Sequence, residues 1–539
     1  MAEESNWLTA NVWARRGMVS SGHPMASQAG LEVLHRGGNA VDAAVATALA
    51  TAVVMPNMCG FGGDGYALYS EPGGQVFALV GSGALPMSYD EARLTSTLAD
   101  RLPLRGPQSV AVPGALDAYQ TMHERFGRLS WADVIYPALG LARDGFLVDS
   151  VLAQDLLDNE RALGRDASVR ERFFSDGRPL SEGALLCQPE LAELLEAILE
   201  SGRSVLYQGP MAEAISRTVK AGGGFLGRED LEAHRSRWER PLALNIDRYT
   251  VWASPLPSAG VVLLEALAMV ERGGFDSDWR NQPQRVHRVI EALRWSFYDR
   301  RARLGDPDFV DFLAETLIEP THIDRRLAYL GGNKAKLPFS AQDPVSEGDT
   351  TSLVAVDGDG GAVSLIHSLG LAFGSGVYVP AGGFFLNNRA GRSFNRIPGH
   401  PNQALPGKRP MHTLNTYLVQ EHGKTLIVGN TPGGDGQPQW NLTILMDLLW
   451  GGQSPREALA RPRLTVLPGT DMHTLAESER VVLESRFSPK VWSDLAQRGH
   501  AIQVIGPYAG GGSAQVIRRV NEGFLGASDP RGIGQTLGF

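Results

Sequence analysis

Two threonines follow an acidic residue in the stretch EGDTTSLVAVD and lead directly into an alternating apolar run. A threonine hydroxyl is a weak nucleophile near neutral pH unless a base removes its proton. When threonine is the first residue of a chain, its own α-amine, with a pKa of about 8, can act as that base. The spacing therefore raises the hypothesis that the Asp349–Thr350 peptide bond is cut so that Thr350 gains a free amine.

Such a cut needs no second molecule except water. The Thr350 hydroxyl attacks the carbonyl carbon of Asp349, and water then hydrolyses the resulting ester. Taken alone, however, a threonine pair before an apolar run is more typical of an ordinary strand entrance. Other parts of the chain must therefore decide between the two interpretations.

Composition limits the classes of function. The 539 residues carry a net charge of −9, without a run of lysine or arginine, so a nucleic-acid partner is not favoured. Cys59 and Cys187 are too few for a disulfide framework, and neither has metal-ligand spacing around it. No metal is predicted, and no cofactor is needed if the nucleophile carries its own base.

The amino-terminal sequence lacks a basic region followed by a continuous apolar segment, so no secretory signal is predicted. The most apolar stretch, residues 40–55, is too short to cross a bilayer and contains Asp42. We therefore expect a cytoplasmic protein without a membrane partner.

Local patterns predict the elements that must position Thr350. Residues 27–38 predict a helix capped by Ser27, and Asn39 with Asp42 predicts a capping box that opens a buried second helix. The glycine-rich FGGDG that follows is interpreted as a close-packed turn into a strand rather than as a nucleotide cradle.

The character of the chain changes after Thr350. TSLVAV and AVSLIHS flank an Asp-Gly turn and predict a hairpin, and a second hairpin is predicted around His422-Gly423. Residues 331–349 have the composition of an exposed loop. Together the patterns predict a layered α/β protein with helices outside and antiparallel strands inside.

An ordered series of motifs carries a resemblance to a known family. These are HPMASQAGLEVLHRGGNAVDAAVATALA, GFGGDG, AVPGALDAY, GDTTSLVAVDGDGGAVS, FGSGV, LNN, PGKRP, TPGGDG and GASDPR. The chain resembles the γ-glutamyltranspeptidase superfamily of N-terminal-nucleophile hydrolases. The resemblance implies a four-layer αββα fold and an amidohydrolase or acyltransferase.

The same resemblance implies self-processing. A large subunit, residues 1–349, and a small subunit, residues 350–539, would form one intertwined domain and stay associated as a heterodimer, with a dimer of heterodimers left open. Thr350 aligns with the nucleophile, Ser368 with a second hydroxyl that hydrogen-bonds it, and Gly433 and Gly434 with the pair whose N–H groups form an oxyanion hole. Asn388 in the LNN motif is a further substrate-binding candidate.

The departures from the family pattern lie where substrate is recognised. Ser82 replaces an arginine that binds the glutamyl α-carboxylate, and Gly370 replaces an asparagine. A glutamine and an aspartate that hold the α-amine are missing after LNN, where the sequence instead has Arg389 and Arg392 nearby, and a double serine becomes His412-Thr413. The segment before PGKRP that covers the site in the family is also short.

Replacing an aspartate by arginines should disfavour a free α-ammonium and favour a carboxylate. We therefore expect a small amide of a dicarboxylic acid, such as a glutaryl amide or oxamate, to be the acyl donor. The opposing interpretation makes Arg389 and Arg392 surface charges or ion-pair partners. A genuine γ-glutamyltransferase is the alternative function, and an unprocessed non-catalytic homologue is a third.

Overall fold

The computed structural model describes residues 10–96, 100–275, 277–330, 332, 334, 335, 349–471 and 478–539. Helices in these ranges are α1 Pro24–His35, α2 Ala40–Val54, α3 Ala115–Phe126, α4 Trp131–Asp144, α5 Ser150–Asp158, α6 Glu160–Leu163, α7 Ala167–Phe173, α8 Pro189–Ser201, α9 Ser204–Tyr207, α10 Gly209–Ala221, α11 Arg228–Ala233, α12 Gly260–Arg272, α13 Pro283–Arg303, α14 Pro320–Leu330, α15 Arg389–Ser393, α16 Gly436–Leu449, α17 Pro455–Ala460 and α18 Pro489–Gln497.

The strands of the same ranges are β1 Val12–Ala14, β2 Gly17–Ser21, β3 Asp64–Ser70, β4 Val76–Gly81, β5 Phe146–Leu147, β6 Phe174–Ser175, β7 Arg178–Pro179, β8 Leu185–Leu186, β9 Arg237–Glu239, β10 Leu242–Ile246, β11 Tyr249–Ala253, β12 Asp349–Asp357, β13 Ala362–Gly370, β14 Tyr378–Val379, β15 Phe384–Phe385, β16 Thr416–Glu421, β17 Lys424–Asn430, β18 Leu464–Leu467, β19 Arg480–Glu484, β20 Ile502–Ile505, β21 Gln515–Val520, β22 Gly523–Ser528 and β23 Gln535–Gly538.

Two antiparallel sheets dominate the described residues. Sheet 1 has the strand order β1-β22-β21-β17-β16-β11-β10, and sheet 2 has the order β23-β2-β12-β13-β3-β4-β9. Both sheets combine strands that precede residue 349 with strands that follow it. Strands β18, β19 and β20 form a smaller sheet, the accessory sheet.

Three apolar clusters separate four layers. One cluster joins sheet 2 to α1, α2 and α4, a second joins sheet 1 to α12, α13 and α16, and a third lies between the sheets. The position of strand β12 explains why its residues 353–356 are apolar without interruption: Leu353 and Ala355 belong to the helix-side cluster, whereas Val354 and Val356 belong to the cluster between the sheets. Successive side chains point to opposite faces of a strand, so β12 is buried on both. The predicted four-layer αββα fold is confirmed.

Most local predictions on the described residues are also confirmed. Asn39 and Asp42 form the capping box of α2, which is buried along its whole length. The two predicted hairpins are β12–β13 and β16–β17. The predicted start of the first helix is wrong, because His23 caps α1 and Pro24 is its first residue. A proline fits the first helical turn, where its missing N–H has no intrahelical acceptor.

The predicted loop 331–349 lies largely outside the described residues. Within the part of the chain that is described, no helix is both long and apolar enough to cross a membrane.

Candidate active site

Thr350 lies near the start of β12, where the pairing of this strand with β13 is irregular. The register shifts between Asp349 and Thr351, which face Gly370 and His367 respectively. Such irregularities bend a strand and redirect a side chain, and they are common beside active sites. Thr350 is 3% exposed and lines the cavity described below.

The hydroxyl oxygens of Thr350 and Ser368 are 2.9 Å apart and share a hydrogen bond. Ser368 also accepts a hydrogen bond of 2.9 Å from the Gly370 backbone N–H. Because Ser368 lies on β13, directly beside Thr350 in sheet 2, the backbone ladder fixes the relative position of the two hydroxyls.

The glycine-rich turn before β3 packs closely against this strand pair. A Cβ at Gly63 would lie 2.5 Å from the Ser368 carbonyl oxygen, and a Cβ at Gly62 would overlap the Phe385 carbonyl. The interpretation of FGGDG as a close-packing segment is therefore confirmed by the space around it.

Gly433 and Gly434 lie on the loop from β17 to α16 and line the same cavity as Thr350. Their φ angles are +116° and +54°, and a Cβ at Gly433 would overlap the Trp440 ring. Glycine is favoured at both positions because only it adopts such angles without steric cost. The backbone of this loop therefore forms part of the cavity that Thr350 also lines.

Asp435 anchors this loop from behind. Its carboxylate accepts hydrogen bonds from Thr470 N at 2.7 Å, from Asp471 N at 2.9 Å and from Arg300 at 2.9 Å. Burial by itself raises the pKa of Asp435, but the charge of Arg300 and these hydrogen bonds outweigh it and hold the pKa below its usual value. The carboxylate is therefore ionised at neutral pH.

The cavity has a volume of about 640 Å³. We call the part of the cavity that is lined by Thr350, Thr351, Arg392, Gly433 and Gly434 its inner end. The rest is lined by two methionines that follow α2, by residues of α5, α16 and the accessory sheet, and by the loops around residues 510 and 532. The volume is within the range of pockets that take small-molecule ligands.

Arg392 is 1% exposed and contributes to the inner end. Its Nε donates to Asp471 at 2.6 Å and its Nη1 to the Gly370 carbonyl, whereas its Nη2 has no hydrogen-bond partner among the described residues. One donor of a charged side chain thus remains for a ligand.

Arg389 is fully buried, and its Nε donates to Asp64 at 3.1 Å. Within the described ranges, both of its terminal nitrogens lack a hydrogen-bond partner. Burial raises the pKa of Asp64 to about 6 despite the nearby guanidinium. Burial also lowers the pKa of Arg389, but a guanidinium keeps its proton at any ordinary pH, so Asp64 is its counter-ion. Neither predicted arginine is a surface charge, and both form ion pairs.

His412 is also fully buried, and its Nε2 lies 2.6 Å from the Ser82 hydroxyl. Burial, together with the charges of Arg389 and Arg300, lowers the pKa of His412 well below its usual value, so the imidazole is neutral. Thr413 is 1% exposed. These two residues are not among the described residues that line the cavity.

Asn388 supports the backbone around the site. Its side chain accepts a hydrogen bond from Leu371 N at 3.2 Å and donates one to the Leu104 carbonyl at 2.9 Å. Gly370, at φ +111°, has no room for a side chain because a Cβ there would overlap the Asn388 amide oxygen.

Four charged residues that sequence reasoning missed hold the predicted ones in place: Asp64, Arg300, Asp435 and Asp471. Asp435 stands inside the TPGGDG motif, so its position was a signal. Asp64 likewise stands inside GFGGDG. Arg300 and Asp471 had no such signal, because they are distant in sequence from the residues that they contact.

Two buried clusters elsewhere contain metal-ligand residue types: His287 with Glu291 and His500, and Glu265 with Asp299 and His322. In the first, His287 Nδ1 lies 2.8 Å from His500 Nε2, and Arg294 donates to His500 Nδ1 at 3.0 Å. These ring nitrogens already have partners. Neither cluster belongs to the described residues that line the cavity.

Comparison with known proteins identifies the family of the chain. The family model described as Gamma-glutamyltranspeptidase matches residues 26–539. A glutathione hydrolase-like YwrD proenzyme of Bacillus subtilis is 35% identical over 99% of this chain and 100% of its own length. An oxamate amidohydrolase proenzyme of Klebsiella pneumoniae is 33% identical over 97% of this chain and 98% of its own.

Among solved structures, cephalosporin acylase from Bacillus halodurans superimposes with a TM-score of 0.89 at 31% identity, over 98% of this chain and 97% of the acylase. The family model and these relatives cover nearly all of the chain. The chain therefore belongs to the γ-glutamyltranspeptidase family and is an enzyme of that family.

Proposed function

We propose that this protein is a self-processing N-terminal-threonine amidohydrolase that cleaves the amide of a small, carboxylate-bearing acyl donor. The observation that carries the proposal is the 2.9 Å hydrogen bond between Thr350 and Ser368 at the inner end of a cavity that Gly433 and Gly434 also line. A hydroxyl nucleophile, a second hydroxyl and two backbone N–H donors held in place are the parts that acyl transfer requires.

The first reaction is the cut at Asp349–Thr350. The Thr350 oxygen bonds to the Asp349 carbonyl carbon, the C–N bond breaks, and the Thr350 nitrogen takes a proton to become an amine. Water then hydrolyses the ester, which leaves Asp349 with a carboxylate and Thr350 with its hydroxyl. The products are residues 1–349 and 350–539, which stay together because both sheets contain strands from each part.

Turnover repeats the chemistry on a substrate amide. The Thr350 amine takes the hydroxyl proton as the oxygen attacks the carbonyl carbon, and the N–H groups of Gly433 and Gly434 stabilise the oxyanion. The protonated amine then gives its proton to the leaving nitrogen, and the C–N bond breaks. Water, deprotonated by the same amine, hydrolyses the acyl-enzyme and releases the acid.

The acyl specificity is proposed from the charges around the inner end. Arg392 keeps an unpartnered Nη2 there, and its positive charge disfavours an ammonium group nearby. Asp471 already neutralises part of this charge, so a carboxylate would gain mainly from the free donor rather than from excess positive charge.

The alternative is a γ-glutamyltransferase or glutathione hydrolase, which the name of the Bacillus subtilis relative favours. The amidohydrolase relative from Klebsiella pneumoniae, whose printed substrate is oxamate, favours a donor without an α-amine. A non-catalytic homologue is disfavoured because the chain retains Thr350, Ser368 and both glycines.

A panel of amides with one leaving group separates these functions. Glutaryl, γ-glutamyl and butyryl p-nitroanilides differ only in the α-amine and the terminal carboxylate, and ammonia release from oxamate tests the shortest donor. We expect the glutaryl amide to exceed both others in kcat/KM by about 10-fold, since a charge-assisted hydrogen bond is worth about 1.5–3 kcal/mol. Preference for the γ-glutamyl amide over the glutaryl amide would overturn the proposed specificity.

A further inference from the structure

The cavity extends well beyond the residues that the proposed reaction uses. Its outer part has one apolar wall and one wall of mixed polarity. The apolar wall consists of Met55 and Met58, which follow α2, and Val151 at the start of α5. The other is the accessory sheet, where Leu467, Val482 and Ile505, one from each strand, lie among Thr465, Arg480 and Gln503.

The accessory sheet has two different faces. Leu464, Val466, Val481 and Leu483 are buried in the core beneath sheet 1. The alternate residues Leu467, Val482 and Ile505 are only half-buried and border the cavity. A half-exposed apolar face beside a nucleophile is the kind of surface that binds the apolar part of a ligand.

The direction of the substrate decides which part reaches this face. In the proposed reaction, Arg392 holds the acyl carboxylate at the inner end and the glycine pair holds the carbonyl oxygen. The amine side of the amide then points away from Arg392, toward the accessory sheet. A donor whose leaving group is ammonia would leave that part of the cavity filled with water.

We propose that the outer part of the cavity is a binding site for an apolar alkyl or aryl group on the leaving amine, so that the preferred substrates are N-substituted amides of a small acid. This inference rests on the proposed function for the direction of the substrate. The two methionines on one wall suit groups of differing shape, because an unbranched thioether side chain adapts to its contacts.

Two amides of the acid that the p-nitroanilide panel selects test this site: the N-methyl amide and the N-hexyl amide. Both amines have similar basicity, so the chemistry of the leaving group is matched and only the apolar surface differs. Wild-type enzyme should prefer the hexyl amide in kcat/KM by about 10-fold or more, because each buried methylene favours binding.

Val482→Glu places a carboxylate among the apolar side chains of this wall and should reduce the hexyl-to-methyl ratio to within about threefold of unity, since a charged group packed beside an alkyl chain loses hydration. Val504→Glu is the matched control. Val504 is 41% exposed on β20, and its side chain points to the opposite face from Ile505. This control should keep the wild-type ratio.

The outcomes separate the two proposals. If processed wild-type enzyme hydrolyses none of the amides, neither these two nor those of the acyl-donor panel, the proposed function itself is contradicted. Hydrolysis of a donor of that panel but of neither N-alkyl amide overturns the apolar site. Hydrolysis of both at equal kcat/KM, or faster hydrolysis of the methyl amide, overturns the apolar site while the proposed function stands. A Val482→Glu enzyme with the wild-type ratio overturns the site as well.

Discussion

The Ser82 hydroxyl and His412 Nε2 lie 2.6 Å apart, although 330 positions separate the two residues in sequence. Ser82 stands where the family has an arginine, and His412 where it has the first of two serines. The two departures from the family pattern therefore contact each other through one hydrogen bond. An arginine at position 82 would place its charge against an imidazole that is already buried beside Arg389 and Arg300.

Loss of the Ser368 hydroxyl should slow the reaction. The Ser368→Ala variant removes the hydrogen bond to Thr350, and we expect kcat/KM to fall by about fivefold, because one such bond is worth about 1 kcal/mol. Ser368→Thr should restore most of the activity. Ser364→Ala is the control, since Ser364 lies on the same strand but donates to the Gly429 carbonyl. An unchanged kcat/KM in Ser368→Ala would show that the second hydroxyl has no role.

The ion pair between Arg300 and Asp435 should hold the glycine loop in place. Replacing Arg300 by Met leaves Asp435 buried without its charge partner, which typically costs about 3–5 kcal/mol of stability. We expect a lower apparent Tm together with a lower kcat. Arg303→Met, on the same helix but with a side chain that is 47% exposed, should change both little. An unchanged kcat in Arg300→Met would show that the ion pair has no role in catalysis.

Arg392 should discriminate between acyl donors. We expect Arg392→Met to lose about 10-fold in kcat/KM on the glutaryl amide and much less on the butyryl amide, which has no carboxylate to lose its hydrogen bond. The matched control is Arg396→Met, whose side chain pairs with Glu91 at 2.9 Å. Equal losses on both amides would assign Arg392 a structural role through Asp471 alone.

The buried His367 should make stability depend on pH. Burial lowers the pKa of His367 to about 3, so the imidazole is neutral in the folded protein. In the unfolded chain the same imidazole binds a proton once the pH falls below about 6.5. Stability therefore falls as pH falls from 6.5, by up to about 1.4 kcal/mol per unit for this group. His367→Gln should show a shallower decline of apparent Tm between pH 7 and 5. A parallel decline in both proteins would contradict this assignment.

Local signals in the sequence predicted local structure well. The capping box at Asn39 and the Asp-Gly turn after β12 depend on neighbouring residues alone, and both are present. The start of α1 was misplaced because Ser27 is an acceptable cap by type, whereas Pro24 determines the first turn. Ser27 and Pro24 each satisfy a rule for the start of a helix, and the sequence alone does not show which of the two rules applies.

The environment of the predicted arginines could not be derived in this way. Arg389 pairs with Asp64 across 325 positions, and Arg392 pairs with Asp471 across 79. Only the folded arrangement shows that each charge already has a counter-ion. Their burial also excludes the surface-charge interpretation, which the polar composition of the segment had left open.

The central claim is that Thr350 becomes the first residue of a chain. Intact-mass measurement and amino-terminal sequencing of active, purified enzyme test it most directly, with Thr350→Ala as the comparison. Wild-type protein should give two fragments, residues 1–349 and residues 350–539, with Thr350 at the new amino terminus, and Thr350→Ala should remain one inactive polypeptide. Full amidase activity from an uncleaved 539-residue chain would contradict the account.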